Sequence, residues 1–190
     1  MADHTDSMSK REIILKSAFQ VFTEKGFHSA KVSDVAELAK VGKGTVYEYF
    51  ASKEDLLRGV IEAGIKYYIQ KLNEQVKDSV SPWEKIRKII KKHGEMLRSG
   101  QNFSQLMFEN FGVMTKEFHQ FLIEQRQGIM QIIQNILKEG IELGQIKPIS
   151  LELGARMILG MMIAIHCEDQ CLSDEAIDEM IATIEQGLLL

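Results

Sequence analysis

Proline and cysteine are scarce in this sequence, with two of each among 190 residues, and aromatic residues make up 7% of it. Because proline interrupts helices, its scarcity favours a helical chain. No stretch of about 18 uncharged apolar residues occurs, so we expect no membrane-spanning helix. The first residues are polar and mixed in charge, without the apolar run of a secretory signal. We therefore expect a cytoplasmic protein in which Cys167 and Cys171 are free thiols.

Motifs of the common enzyme classes are also missing. The sequence has no Ser-His-Asp order, phosphate loop, His-Glu-x-x-His helix or paired-carboxylate motif, so we predict no catalytic residues and no enzyme. His166 lies beside Cys167, and Cys171 is on the same face of a predicted helix, which raises the alternative of a metal or thiol sensor. Zinc prefers four ligands and only three candidates cluster here. We therefore predict no metal site.

A strong excess of one charge is absent as well. The net charge of −4 argues against a protein that binds polyanions over its whole surface. Residues 1–53 carry 8 Lys/Arg and 7 Asp/Glu, whereas residues 54–190 carry 15 and 20. The acidic residues are thus concentrated outside the N-terminal segment, which remains compatible with DNA binding.

Apolar residues recur at helical spacing along almost the whole chain, which predicts nine helices and no strands. Typical start and stop signals mark their ends. Ser81-Pro82-Trp83-Glu84 combines a serine cap with Pro and Glu in the first turn, and Gly26 stands where a left-handed C-cap is needed. The predicted helices begin near residues 9, 33, 43, 52, 82, 102, 115, 150 and 173.

Two short helices joined by a tight turn, over residues 32–50, have the outline of a helix-turn-helix. Val46 and Phe50 are four residues apart and can anchor the second helix to a core. Lys53 is a cation in the first turn of the next predicted helix, where the helix dipole favours anions. A nearby phosphate would offset this unfavourable interaction. The alternative is that the lysines are solvated and the tyrosines pack locally. The outward surface, suited to phosphates and base edges, comprises Lys43, Gly44, Thr45, Tyr47 and Tyr49.

The segment VSDVAELAKVGKGTVYEYFASKEDLL, residues 32–57, resembles the DNA-binding domain of the tetracycline-repressor (TetR) family. Gly26-Phe27 and the end of the first helix fit as well, so the match covers about residues 10–57. The resemblance implies an all-α, nine-helix fold. It divides the chain into a three-helix DNA-binding domain over 1–53 and a ligand-binding and dimerisation domain over 54–190. The implied function is a repressor that a hydrophobic small molecule releases from its operator.

The resemblance also implies roles for individual positions in DNA binding. Lys43 and Thr45 would enter the major groove, where Gly44 allows close backbone approach. Glu48 faces the same groove edge, either accepting a hydrogen bond from cytosine or remaining a solvated charge. The predicted DNA contacts are Lys31, Ser33, Lys43, Gly44, Thr45, Tyr47, Tyr49 and Lys53, with the two tyrosines and Lys53 assigned to phosphates and Ser33 to a phosphate or a base.

Three positions depart from the family pattern. Lys40 stands where glycine usually ends the second helix, and Gly42 where serine often caps the third. Lys31 replaces a usual Thr or Ser cap and is available for an added phosphate contact. Because glycine is an acceptable N-cap, we expect the turn to survive, and the changes concern the operator sequence.

A dimer is expected because one recognition helix reads only a few base pairs. Residues 151–165 are apolar nearly all round, and Gly154 and Gly160 would permit close helix approach. Family members pair their last two helices into a four-helix bundle. The alternative is that both helices complete a monomeric core. The predicted interface residues are Met157, Met161, Ile165, Ile177, Ile181 and Ile184.

The intervening helices are rich in Met and Phe, a composition typical of pockets for hydrophobic small molecules. For each residue, ordinary placement in the core or on the surface is the alternative. The effector class stays open among an acyl chain, an acyl thioester and an aromatic drug, and no cofactor is predicted. A helical interaction protein with no role in DNA binding is the competing class. The predicted ligand contacts are His93, Phe103, Met107, Phe108, Phe111, Phe118, Arg126, Met130 and His166.

Overall fold

A computed structural model describes residues 8–77, 81–99, 103, 106, 109–110, 112, 115–167 and 170–189. The all-α class predicted from the sequence is confirmed. Most of the predicted helix over 102–111, including Met107, Phe108 and Phe111, lies outside the described residues. The described part contains eight helices: α1 Lys10–Lys25, α2 Val32–Leu38, α3 Lys43–Tyr49, α4 Lys53–Lys77, α5 Pro82–Ser99, α6 Lys116–Glu142, α7 Leu151–Ala164 and α8 Asp174–Leu188.

Serine caps begin several helices where the sequence predicts them. The Ser9 hydroxyl accepts a hydrogen bond from the backbone N–H of Glu12 at 3.3 Å, and the Glu12 carboxylate accepts one from the Ser9 backbone N–H at 2.7 Å. The hydroxyls of Ser150 and Ser173 each accept from the backbone N–H three residues on, at 3.3 Å. These bonds satisfy N–H groups that the first helical turn leaves without partners.

The described residues form two compact units. The first comprises Met1–Lys66 and Asn102–Phe118. Its core joins α1 to α4 through buried side chains such as Ile14 and Leu56, and the rings of Phe22 and Phe27 meet edge-on at 5.4 Å. The division at residues 53 and 54 stays a prediction.

The second unit comprises Tyr67–Gln101 and His119–Leu190. One apolar cluster fills it, and salt bridges from Lys85 to Glu139 and from Arg87 to Glu185 tie α5 to α6 and α8. The fully buried members of the cluster include Leu72, Ile90, Leu137, Ile158 and Ile181, one from each helix from α4 to α8.

No helix in the described residues is long and apolar enough to cross a bilayer.

A short antiparallel hairpin follows α7. Its strands, β1 His166–Cys167 and β2 Gln170–Cys171, pair His166 with Cys171 and Cys167 with Gln170. The two cysteines therefore lie on opposite strands of a hairpin, and the prediction that they share a helix face is wrong. The side chains of these residues lie outside the described part, so the sensor alternative and the ligand contact of His166 stay untested.

Two residues in the N-terminal unit adopt positive φ angles. Gly26 ends α1 at φ 74° and ψ 147°, and Lys40 follows α2 at φ 55°. The left-handed region suits glycine and is strained for a side chain with Cβ. The turn after α2 therefore retains the conformation that glycine would favour, although position 40 is a lysine.

Replacing Lys40 by Gly should stabilise the protein by roughly 1 kcal/mol, because the left-handed strain is relieved. Thermal unfolding of the purified variant measures this as a rise in Tm of a few degrees. Lys16→Gly, in the exposed middle of α1, is the matched control and should lower the Tm, since glycine disfavours a helix interior. If both variants lower the Tm, Lys40 carries no strain.

Candidate functional site

The orientation of α3 is set by two buried side chains. Val46 is 1% exposed and Phe50 3% exposed, whereas Tyr47 and Tyr49 are 46% and 43% exposed. Apart from its chain neighbours and the backbone of its own helix, no heavy atom of the described residues lies within 4 Å of where a Cβ would stand on Gly44. The helix therefore presents an open outward surface, as its spacing predicts.

Lys43 is prearranged on this surface. Its side chain is exposed, and Nζ lies 5.8 Å from the centroid of the Tyr47 ring. A cation over an aromatic face is held electrostatically, which reduces the number of conformations that the lysine samples. Thr45, on another side of α3, is half-buried.

The start of α2 adds exposed polar residues to the same unit. Lys31 precedes the helix and Ser33 lies in its first turn, and both side chains are exposed. Asp34 is engaged locally, because its carboxylate lies 2.9 Å from the ammonium of Lys25 and accepts a hydrogen bond from the backbone N–H of Lys31 at 3.2 Å. These contacts, that of Lys25 first, hold the pKa of Asp34 below its usual value.

Lys53 has internal partners that the sequence does not predict. Its ammonium donates to the backbone carbonyls of Phe27 at 2.7 Å, His28 at 3.2 Å and Ala30 at 3.1 Å. It also lies 4.5 Å from the centroid of the Phe27 ring. An ammonium has three N–H donors, and three carbonyls use all of them. Lys53 therefore fastens the loop before α2 to the start of α4, and its predicted phosphate contact stays untested.

The predicted ligand contacts are divided between the two units. Phe118 is buried in the first unit, where Phe103 also lies: a Cβ on Gly64 would come within 2.1 Å of the Phe103 ring. In the second unit, Arg126 is exposed and Met130 packs against the apolar cluster. The structure thus gives these residues ordinary packing positions, and their contact with a ligand remains a prediction.

His93 takes part in a hydrogen-bond chain across the second unit. Its Nδ1 lies 2.6 Å from the Tyr68 hydroxyl of α4, and its Nε2 lies 2.7 Å from the backbone carbonyl of Met162 in α7. Burial raises the pKa of the Tyr68 phenol. Tyr68 is absent from the predicted sites, because no local motif signals a partner 25 residues away.

The residues predicted for a dimer interface take two kinds of position. Met157 is 56% exposed, whereas four others are at most 8% exposed and belong to the apolar cluster of their own protomer. Ile184 packs partly buried against that cluster. The interface itself stays a prediction, but protomer folding already accounts for the apolar character of Met161, Ile165, Ile177 and Ile181.

Two family models cover most of the chain. The model for bacterial regulatory proteins of the tetR family matches residues 14–60, and the model for the tetracyclin repressor-like C-terminal domain matches residues 79–167. The chain belongs to the TetR family. This TetR-family protein is a ligand-responsive, DNA-binding transcriptional regulator.

Similar proteins agree with that assignment. The fatty acid metabolism regulator protein of Bacillus subtilis is 32% identical over 148 residues, which cover 77% of this chain and 76% of that protein. The solved structure of the transcriptional regulator FadR from Bacillus subtilis, in complex with stearoyl-CoA, is 28% identical with a TM-score of 0.66 and covers 92% of this chain and 88% of that chain. A TetR/AcrR-family regulator from Thermobifida fusca, 22% identical, has a TM-score of 0.74 and covers 93% and 94% of the two chains.

The salt dependence of duplex binding should show which of Lys31 and Lys53 contacts DNA phosphates in this TetR-family regulator. Lys31→Gln removes an exposed cation, so the slope of log Kd against log salt concentration should fall by about one. Lys53→Gln should leave that slope unchanged and lower the Tm, because its ammonium is occupied by carbonyls. Titrations of a fluorescent mixed-sequence duplex at several salt concentrations measure both slopes. An equal fall for the two variants would show that Lys53 contacts phosphate after all.

Proposed function

We propose that this protein represses transcription by binding a two-fold operator as a dimer and that a long-chain acyl-CoA releases it. The observation that carries the proposal is the open surface of α3, which is held outward by the burial of Val46 and Phe50. Such a protein acts on the bacterial chromosome, so we place it in the cytoplasm. It is a regulator in this proposal and performs no catalysis.

The proposed DNA contacts come from α2 and α3. Lys31 and Ser33 contact the phosphate backbone. Tyr47 and Tyr49 contact the phosphates that line the groove. Phosphate contacts position the protein, and base contacts provide specificity. Lys53 acts through the loop that it fastens. The proposed contact set is Lys31, Ser33, Lys43, Gly44, Thr45, Tyr47 and Tyr49.

The proposed effector is an acyl thioester of coenzyme A with a long chain. FadR from Bacillus subtilis, 28% identical, holds stearoyl-CoA. Eight of the ten methionines lie in residues 54–190, and the flexible methionine side chain adapts to the shape of an acyl chain. An effector releases DNA only if it binds the conformation with low DNA affinity more tightly than the one with high affinity.

The proposed dimer surface is the exposed side of α7. Leu153, Met157 and Ile163 are 59%, 56% and 60% exposed, and Gly160 and Ala164 are exposed beside them. Residues 153, 157, 160 and 164 follow helical spacing and form one stripe. Contiguous apolar stripes on a soluble protein usually mark interaction surfaces. In the part of the chain that the structure describes, nothing outside the backbone of α7 and the two chain neighbours lies within 4 Å of where a Cβ would stand on Gly160, so a partner helix has room to approach.

Stearoyl-CoA should weaken DNA binding about ten-fold or more, since allosteric couplings of this kind are typically 1–3 kcal/mol. The probe is a duplex that the protein itself selects from random-sequence DNA, and fluorescence anisotropy gives the affinity. Coenzyme A alone and free stearate serve as control ligands and should have a smaller effect. Unchanged affinity at saturating stearoyl-CoA would contradict the proposed effector.

Replacing Met157 by Glu should weaken the dimer roughly 100-fold, because a buried, unpaired carboxylate costs several kcal/mol. Sedimentation equilibrium measures the loss of dimer. Leu143→Glu introduces the same charge at a residue that is 60% exposed but lies just after α6, and it should leave the dimer intact. A Met157→Glu protein that dimerises as tightly as the unmodified one would exclude this side of α7.

A further inference from the structure

Glu48 is an acidic side chain on a surface that faces a polyanion. It is exposed on α3 and has no salt bridge or side-chain hydrogen bond within the described residues. Two other carboxylates in the same unit are engaged, Asp34 by Lys25 and Asp55 by Arg58, whereas Glu37 on α2 is exposed as Glu48 is. A free carboxylate on the DNA-facing helix weakens binding to phosphate, so its presence there calls for a partner that only DNA supplies.

The rotation of α3 directs Glu48 straight outward. Successive residues are separated by about 100° around a helix, so Glu48 stands about 180° from the midpoint between Val46 and Phe50. The two tyrosines then flank it, Tyr47 on one side and Tyr49 on the other, each about 100° away. A groove that lies against the side of α3 opposite its buried residues therefore faces the Glu48 side chain.

Gly44 lies one helical turn before Glu48 on the same outward line. It contributes no side chain, and the space beyond its Cα is open. The helix axis can therefore come close to the base edges at this point. Of Gly44 and Glu48, the two residues on the outward line of α3, only Glu48 has a side chain that can extend toward a base edge.

The chemistry of base edges selects the partner of a carboxylate. Cytosine presents the N4 amino donor in the major groove, and guanine presents two acceptors that repel an anion. Adenine places its N7 acceptor beside the N6 donor, which also disfavours a carboxylate, and thymine presents an acceptor and a methyl group. Cytosine is therefore the base that offers a carboxylate a donor and no acceptor of its own in the major groove.

We propose that Glu48 is a specificity-determining residue that accepts a hydrogen bond from the N4 amino group of one cytosine in each operator half-site. This inference rests on the proposed binding of DNA through α3. Because the protein binds as a two-fold dimer in that proposal, the preferred C·G pairs lie at symmetry-related positions.

Selection from random-sequence duplexes, followed by sequencing, tests the assignment with the full-length protein. The unmodified protein should select a fixed C·G pair in each half-site. Glu48→Ala should lose the preference at that pair alone, with the discrimination falling roughly ten-fold, while the other selected positions remain. Its affinity for mixed-sequence duplex should rise, because a negative charge is removed from the interface.

Glu48→Gln sharpens the test, since glutamine pairs with both N6 and N7 of adenine. This variant should change the selected pair from C·G to A·T at the same position. The matched control is Glu37→Gln on α2, which removes the charge of another exposed glutamate and should leave the selected sequence unchanged.

The outcomes separate this inference from the proposed function. If the unmodified protein selects no sequence and does not bind duplex at low salt, DNA binding through α3 fails. If it selects a sequence that Glu48→Ala and Glu48→Gln both leave unaltered, only the role of Glu48 is overturned. Unchanged Tm values for the variants confirm that a lost preference reflects the missing side chain and not misfolding.

Discussion

The burial of Val46 and Phe50 is the constraint on which the DNA-facing surface depends. The Phe50 ring packs on α4 at Gly59, where a Cβ would come within 2.8 Å of it, and the guanidinium of Arg11 lies 5.2 Å from its centroid. A larger residue at position 59 would displace the ring from this position. The outward residues of α3, which we propose contact DNA, are therefore oriented by side chains on its buried face.

Local sequence signals predict most of the helices because their causes are local. A serine cap and its partner lie three residues apart, and α1, α7 and α8 begin one residue after such a cap. The outward surface of α3 follows in the same way, since the spacing of Val46 and Phe50 determines its rotation. That glycine usually stands at position 40 comes from the family resemblance, and the positive φ of Lys40 gives the physical reason for it.

Contacts between residues distant in sequence are beyond this kind of reasoning. Lys53 is 23 residues or more from the carbonyls that it binds, and a lysine at a helix start looks the same whether it meets carbonyls or phosphates. Likewise, helical periodicity identifies an apolar face of a helix. It does not show whether the core of the same protomer or a partner protomer covers that face. Met161 and Ile165 lie in the core of their own protomer, while the exposed Leu153 and Ile163 are the residues that the periodicity did not single out.

The chain from Tyr68 through His93 to Met162 has a fixed polarity. A peptide carbonyl only accepts, so the hydrogen of a neutral His93 ring resides on Nε2, and Nδ1 then receives the hydrogen of the Tyr68 hydroxyl. Burial raises the pKa of Tyr68, which keeps that hydrogen in place at physiological pH. While His93 is neutral, no proton is free to pass along the chain. With a neutral His93, the two hydrogen bonds therefore couple α4, α5 and α7 through the positions of their atoms and not through a transfer of charge.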